Sequence, residues 1–174
     1  MTGDPLARIV FRPPTEGDHR WLADRVDHWF GRRVRSLLGR SWFVHFASTS
    51  LVGETLDAHG PDPDRRVIAS FVVGFLSPDR PGEAVIHLAA VGPEWRRRGF
   101  GTATHARWME EMAAKGATRA TVVVPPDDRV AILFYRSLGF AEVTEGARPL
   151  WGVPAFEDYD GDGADRALLT RLIS

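Results

Sequence analysis

The sequence predicts an α/β fold of the α+β kind: a mixed, mostly antiparallel central sheet flanked by helices, in a single domain spanning 1–174. Three observations predict it. Several strand-like runs follow one another between residues 50 and 91. A strand-helix-strand-helix order then takes over through residue 140, the pattern of a sheet with helices laid on it. Finally, 174 residues with 44% apolar and 26% charged content suit one ordinary globular domain. Such a chain buries roughly 70% of its unfolded surface and needs no covalent staples.

The elements follow in order. "RIVFRPP" reads as a first strand ended by prolines. "TEGDHRWLADRVDHWF" places Trp21, Leu22, Val26 and Trp29 at helical spacing, with Gly31 as the stop. A second helical pattern runs through Val34, Leu37, Leu38, Trp42 and His45, although "WFVHF" also alternates like a strand. "SLVGETL" and "RVIASFVVGFLS" are strands separated by the turn-rich "DAHGPDPD". After the turn "SPDRPGE", "AVIHLAAV" continues the sheet as an antiparallel meander. "GTATHARWMEEMAAKG" is a helix with Ala103, Ala106, Met109 and Met112 facing inward and Gly116 as its stop. "RATVVV" is a buried strand, and "PPDDRVAILFYRSLGF" is a helix opened by acidic residues and ending at Gly139. "RALLTRLIS" supplies a last strand.

Twenty-two basic and 23 acidic side chains leave a net charge of -1, so bulk charge offers no case for nucleic acid or a polyanionic surface as partner. The absence of cysteine removes disulfides, thiolate metal sites and a cysteine nucleophile. No run approaches the roughly 20 apolar residues of a membrane span, and "MTGDPLARIVF" does not resemble a signal peptide. The expectation is a cytoplasmic protein, monomer or homodimer.

Against this neutral background, "VGPEWRRRGFGTA" concentrates three arginines beside two glycines at the start of a helix. The first amides of a helix lack internal partners, and the helix dipole adds partial positive charge there. Gly99 and Gly101 remove the Cβ atoms that would keep a phosphate from those amides, and Arg96, Arg97 and Arg98 add charge. A glycine turn edged by solvated arginines is the plain structural alternative. Two nucleotide motifs fit worse. A dinucleotide fingerprint needs a third glycine where Thr104 stands, and a nucleotide-triphosphatase loop needs a lysine this turn lacks.

With the downstream "DRVAILFYRSLGF", this turn resembles the cofactor motifs of the GNAT superfamily of acetyl-CoA-dependent N-acetyltransferases. Arg96, Gly99 and Gly101 match that family's Arg/Gln-x-x-Gly-x-Gly/Ala, and Val91 and Pro93 match the preceding Val-x-Pro. Ala131, Tyr135, Gly139 and Phe140 match its later motif, while Asp128 stands where asparagine is usual. The motifs cover roughly residues 83–142; the first 80 residues agree in element order only. The resemblance implies that the turn, from Arg96 through Arg97, Arg98, Gly99, Phe100 and Gly101 to Thr102, cradles the pyrophosphate of coenzyme A. It implies too that the strand at Ala89, Ala90 and Val91 offers backbone groups to the pantetheine arm. Asp128, Ala131 and Tyr135 complete the cofactor-binding set, acetyl-CoA is the co-substrate, and no metal is expected.

Acetyl transfer to an amine requires removal of a proton, polarisation of the thioester carbonyl and protonation of the departing thiolate. Without cysteine, direct attack by the amine is favoured over a cysteine acetyl-enzyme. Tyr135 occupies the position of the family tyrosine that can protonate the coenzyme A sulfur; otherwise it packs helix on sheet. Some members carry a basic glutamate on the strand where this chain has Val123. His87 is the alternative base, because "IHLAAV" resembles the strand of arylalkylamine N-acetyltransferases with a histidine at that offset. Histidine titrates near neutrality, which suits the task, though a satisfied sheet histidine is the competing reading. Glu83 ends a turn more readily than it relays protons. Trp21, Trp29 and Trp42 lie in the region that borders the acceptor site in the family.

His19, His28, His45, His59 and His105 show no metal-ligand spacing. "DYDGDGAD" starts like a calcium loop, but Leu169 stands at the twelfth position, where a bidentate glutamate belongs. A solvated turn is favoured there, with an acidic rim for a cationic amine as another reading. The functions in play are therefore an N-acetyltransferase acting on a primary amine, a non-catalytic acyl-CoA sensor of the same fold, and a calcium-dependent interaction domain.

Overall fold

The structure, a computed structural model, describes residues 5–57, 62 and 65–174. His59, most of the turn expected at 57–64 and the first four residues lie outside the described ones. The described chain clusters into two compact units, residues 1–75 with 87–112 and residues 76–86 with 113–174.

The first unit opens with a 3-10 turn (Pro5–Arg8), followed by β1 (Val10–Arg12), α1 (Glu16–Ala23) and α2 (Val26–Phe30). One continuous helix was expected over 15–30, but it breaks at Asp24 and Arg25. The Arg25 amide closes a short turn on the Leu22 carbonyl (2.9 Å), while its guanidinium takes the Trp21 carbonyl (3.1 Å). The bond a continued helix would form at that carbonyl is thereby replaced. Gly31 ends α2 in the left-handed conformation, as anticipated (φ 66°).

The second expected helix is also fragmented. It becomes a 3-10 turn at Arg35–Leu37 and a single helical turn, α3 (Ser41–Val44). The carbonyls of Leu37 and Leu38 between them accept from side chains instead, His87 and His19 respectively. Strands β2 (Leu51–Leu56) and β3 (Arg66–Leu76) follow, then β4 (Glu83–Val91), of which His87–Val91 belongs to this unit. β2 pairs antiparallel with both β1 and β3. Arg12 on β1 reaches Asp18 (2.7 and 3.0 Å) and Glu54 (2.5 Å), tying β1, α1 and β2 together. Burial alone would raise the Asp18 pKa; the Arg12 and Thr15 hydrogen bonds hold it below the usual carboxylate range.

The helix α4 (Phe100–Ala114) buries Thr104, His105, Trp108, Met109 and Met112, while Ala106, expected to face inward, is exposed. Two polar residues can take inward positions because each satisfies itself against the preceding turn. Thr104 donates to the Phe100 carbonyl (2.7 Å) and accepts from Ser70 (2.6 Å), and His105 donates to the Gly101 carbonyl (2.8 Å).

The second unit holds Glu83–Ile86 of β4, β5 (Arg119–Val124), α5 (Arg129–Ser137), β6 (Ala141–Glu142), β7 (Arg148–Leu150), β8 (Val153–Ala155) and β9 (Ala167–Leu172). β4 and β5 are parallel, while β9 runs antiparallel to β5 and to β6. The strand order of the mostly antiparallel seven-stranded sheet is β1-β2-β3-β4-β5-β9-β6, with helices flanking it. A separate hairpin, β7–β8, was not anticipated. Its two-residue turn uses Trp151 (φ 54°) and Gly152 (φ 82°), and tryptophan is not a residue that announces a left-handed turn.

Candidate active site

In the first unit, the arginine-glycine turn is held at both of its ends. Trp95 (4% exposed) precedes it and Phe100 (0%) closes it, their rings 5.5 Å apart in a core cluster with Ala69. Between these anchors Arg96, Arg97, Arg98 and Gly99 are exposed. Arg97 (φ 58°) and Gly99 (φ 85°) adopt left-handed conformations, which turns the backbone through the loop and into α4. The first ladder bond of that helix is Ala103 N–H to the Gly99 carbonyl (3.0 Å), so the amides from Gly99 to Thr102 have no partner inside the helix. Phe100 therefore brings its backbone, not its ring, to any ligand at this end.

The three arginines are not equivalent. The Arg96 Nε donates to the Val91 carbonyl (3.1 Å), and its terminal nitrogen donates to the Trp29 carbonyl near the end of α2. It stitches the turn to β4 and α2, while Arg98 lies over the Trp95 ring at 5.8 Å.

The parallel ladder of β4 with β5 ends at Ile86↔Val122, and β4 runs on for five residues, His87–Val91. Ala89, Ala90 and Val91 thus follow the ladder's end. At the head of this extension, His87 Nε2 lies 2.8 Å from the Leu37 carbonyl, and its ring stacks on Trp42 (centroids 4.3 Å, planes 17° apart). A carbonyl only accepts, so Nε2 carries the hydrogen, and in the neutral ring the lone pair is on Nδ1. Of the three early tryptophans, Trp42 alone is recorded against His87. Trp29 is core, stacked on Phe71, and Trp21 meets Trp29 edge-on at 6.0 Å.

In the second unit, Asp128 is the N-cap of α5, accepting from the Ala131 amide at 3.0 Å. A carboxylate caps a helix as well as an asparagine side chain does, and its charge suits the helix dipole. Tyr135 is buried (6% exposed), edge-on to Phe140 at 5.3 Å. Burial first, and then the charge of Asp128, raise the phenol pKa well above its ordinary value, so the hydroxyl stays protonated.

A model of the acetyltransferase (GNAT) family matches residues 19–140, most of the chain. The chain belongs to the GNAT family. L-2,4-diaminobutyric acid acetyltransferase of Nocardia farcinica (strain IFM 10152) is 28% identical over 120 residues, 67% of this chain and 56% of that protein. The chain thus spans about half the length of this curated relative. Among solved structures, Ard1 from Thermoplasma volcanium superposes with a TM-score of 0.70 at 18% identity, covering 96% of this chain and 99% of that one. Diaminobutyrate acetyltransferase EctA from Paenibacillus lautus, in complex with L-2,4-diaminobutyric acid and coenzyme A, gives 0.61 at 18% identity, covering 92% and 93%. These likenesses share the GNAT fold.

Other candidate groups in this GNAT chain are occupied structurally. Glu83 is buried at the start of β4, accepts from Thr121 (2.5 Å) and pairs with Arg80 (3.6 Å). Val123 lies on β5 opposite Leu168. In the acidic loop, Asp158 accepts from the Gly163 amide (2.6 Å), Asp165 from the Asp158 amide (3.0 Å), and Asp160 pairs with Arg166 (2.6 Å). Its carboxylates fold the loop on itself. Among the described residues no group of three or more histidine or acidic side chains is placed to hold a metal ion, and no helix is long and apolar enough to cross a membrane.

Proposed function

We propose that this protein transfers the acetyl group of acetyl-CoA to a primary amine by direct attack. Supporting this reading is family membership over residues 19–140, joined to a turn whose helix-end amides and exposed Arg97 and Arg98 suit a pyrophosphate. In it, the amides from Gly99 to Thr102 receive the phosphates, Arg96 holds the turn, and the backbone of Ala89–Val91 lies along the pantetheine arm. Asp128 and Ala131 keep the places the family motif gives them.

The amine nitrogen forms a bond to the thioester carbonyl carbon as the carbon–sulfur bond breaks. His87 Nδ1 accepts the proton the nitrogen loses, and the Tyr135 hydroxyl supplies one to the departing thiolate. Because burial raises the phenol pKa, Tyr135 keeps a hydroxyl hydrogen that it can offer to the departing sulfur. The acceptor is a small amine, with L-2,4-diaminobutyrate, the substrate of the curated relative, the first to try. The enzyme works in the cytoplasm without a metal.

Calorimetric titration with acetyl-CoA, followed by a panel of amines assayed for free coenzyme A, tests the proposal. Saturable binding with amine-dependent release is expected. Folded protein that gives no heat with acetyl-CoA would overturn it, and binding without release from any amine would leave only a sensor.

A further inference from the structure

The His87 ring on β4 is covered by Trp42, which belongs to a cluster of aromatic rings that the reaction itself does not require. Trp42 stacks on His87 and also meets Phe46 (4.9 Å) and Phe75 (6.1 Å). None of these three rings carries a group that could exchange a proton with an amine, so any contribution to chemistry has to pass through the imidazole.

We propose that Trp42 is a positioning residue that, with the Leu37 carbonyl, locks His87 in one tautomer and one orientation. The inference rests on His87 as the base. An imidazole can rotate about its Cβ–Cγ bond and move its proton between two nitrogens, and only one combination presents a lone pair in a fixed direction. Here the stack with Trp42 fixes the ring plane, and the hydrogen bond to Leu37 fixes which nitrogen keeps the hydrogen. Nδ1 is left as the single acceptor. The carbonyl is available because the chain between 34 and 41 is broken into short turns instead of a continuous helix. The fragmented segment thus supplies both halves of the clamp.

The experiment joins a spectrum to a mutant cycle. Long-range 1H–15N correlation of the intact protein, recorded across a pH series, reads the tautomer of the neutral imidazole directly. Hydrogen on Nε2 of His87 supports the proposal, and hydrogen on Nδ1 overturns it. Trp42→Ala should lower kcat about 10-fold with the KM for acetyl-CoA unchanged, and Trp42→Phe, which keeps a stacking face, should recover most of that loss. Because Trp42 acts through His87, the double variant with His87→Ala should be no slower than His87→Ala alone. Multiplying losses would overturn the positioning role. Wild-type activity in His87→Ala would instead remove the base itself, an outcome recognisable as failure of the underlying reading. If Trp42→Ala does not fold, the wild-type spectrum still decides.

Discussion

Lowering the pH from 7 to 5 should cost this protein stability through one residue, His105. The ring is buried in α4, and desolvation pushes its pKa down to about 4 from 6.5, an effect its hydrogen bond to Gly101 only partly offsets. Between those two values the unfolded chain binds a proton that the folded chain refuses. Stability therefore rises with pH across the window and is lost as pH falls through it. The full difference, about 2.5 pKa units at about 1.4 kcal/mol each, sets a ceiling of about 3 kcal/mol. Between pH 7 and pH 5 about 2 kcal/mol of it is spent. Urea unfolding at the two pH values measures the loss, and His105→Asn supplies the reference. Asparagine keeps a donor near the Nδ1 position but does not titrate, so carboxylates such as Asp18 cancel in the comparison. Wild type should lose about 2 kcal/mol more than the variant. Equal losses would show that the buried ring accepts its proton without penalty, and the desolvation argument would fail.

Gly99→Ala should lower stability by about 1–2 kcal/mol in thermal unfolding and weaken acetyl-CoA binding, since the position needs φ 85° and a Cβ there would lie 2.8 Å from Leu6; an unchanged Tm would refute the strain. Asp128→Ala should cost about 1 kcal/mol by uncapping α5, whereas Asp128→Asn should stay within a few tenths; identical losses would make the charge, not the cap, the operative feature. Tyr135→Phe should lower kcat about 100-fold while Tm and acetyl-CoA affinity stay near wild type. Parallel loss of stability and rate would assign the hydroxyl to the fold instead.

What could be read from the sequence divides by the range of the interactions involved. The strands from Leu51 to Val91 carry their own alternation and flanking turns, and α4 and α5 are bounded by glycines with left-handed backbones at 116 and 139. Both runs that resemble the family's motifs were visible because they are local. The early helices misled because the hydrogen bonds that break them come from elsewhere: a guanidinium folding back on Trp21, and histidines 19 and 50 residues away capturing the Leu38 and Leu37 carbonyls. The tether of Arg96 to Trp29, 67 residues back, was hidden for the same reason. Local charge density marked Arg96 as an anion ligand, and nothing local shows that two carbonyls have already engaged it. Thr104 and His105 look like surface residues until their bonds to the preceding turn are seen.

The anchoring of the arginine-glycine turn by Trp95 and Phe100 has a kinetic consequence. A loop pinned at both ends in the hydrophobic core has little ordering left to do when an anion arrives, so its amides meet the ligand already aligned. Capture at this turn should then be a one-step encounter. In stopped flow, the observed rate should climb in proportion to acetyl-CoA concentration without levelling off, as it does when no slow isomerisation precedes or follows contact. If the turn binds anions as proposed, its discrimination among them should then reside in how fast each one leaves.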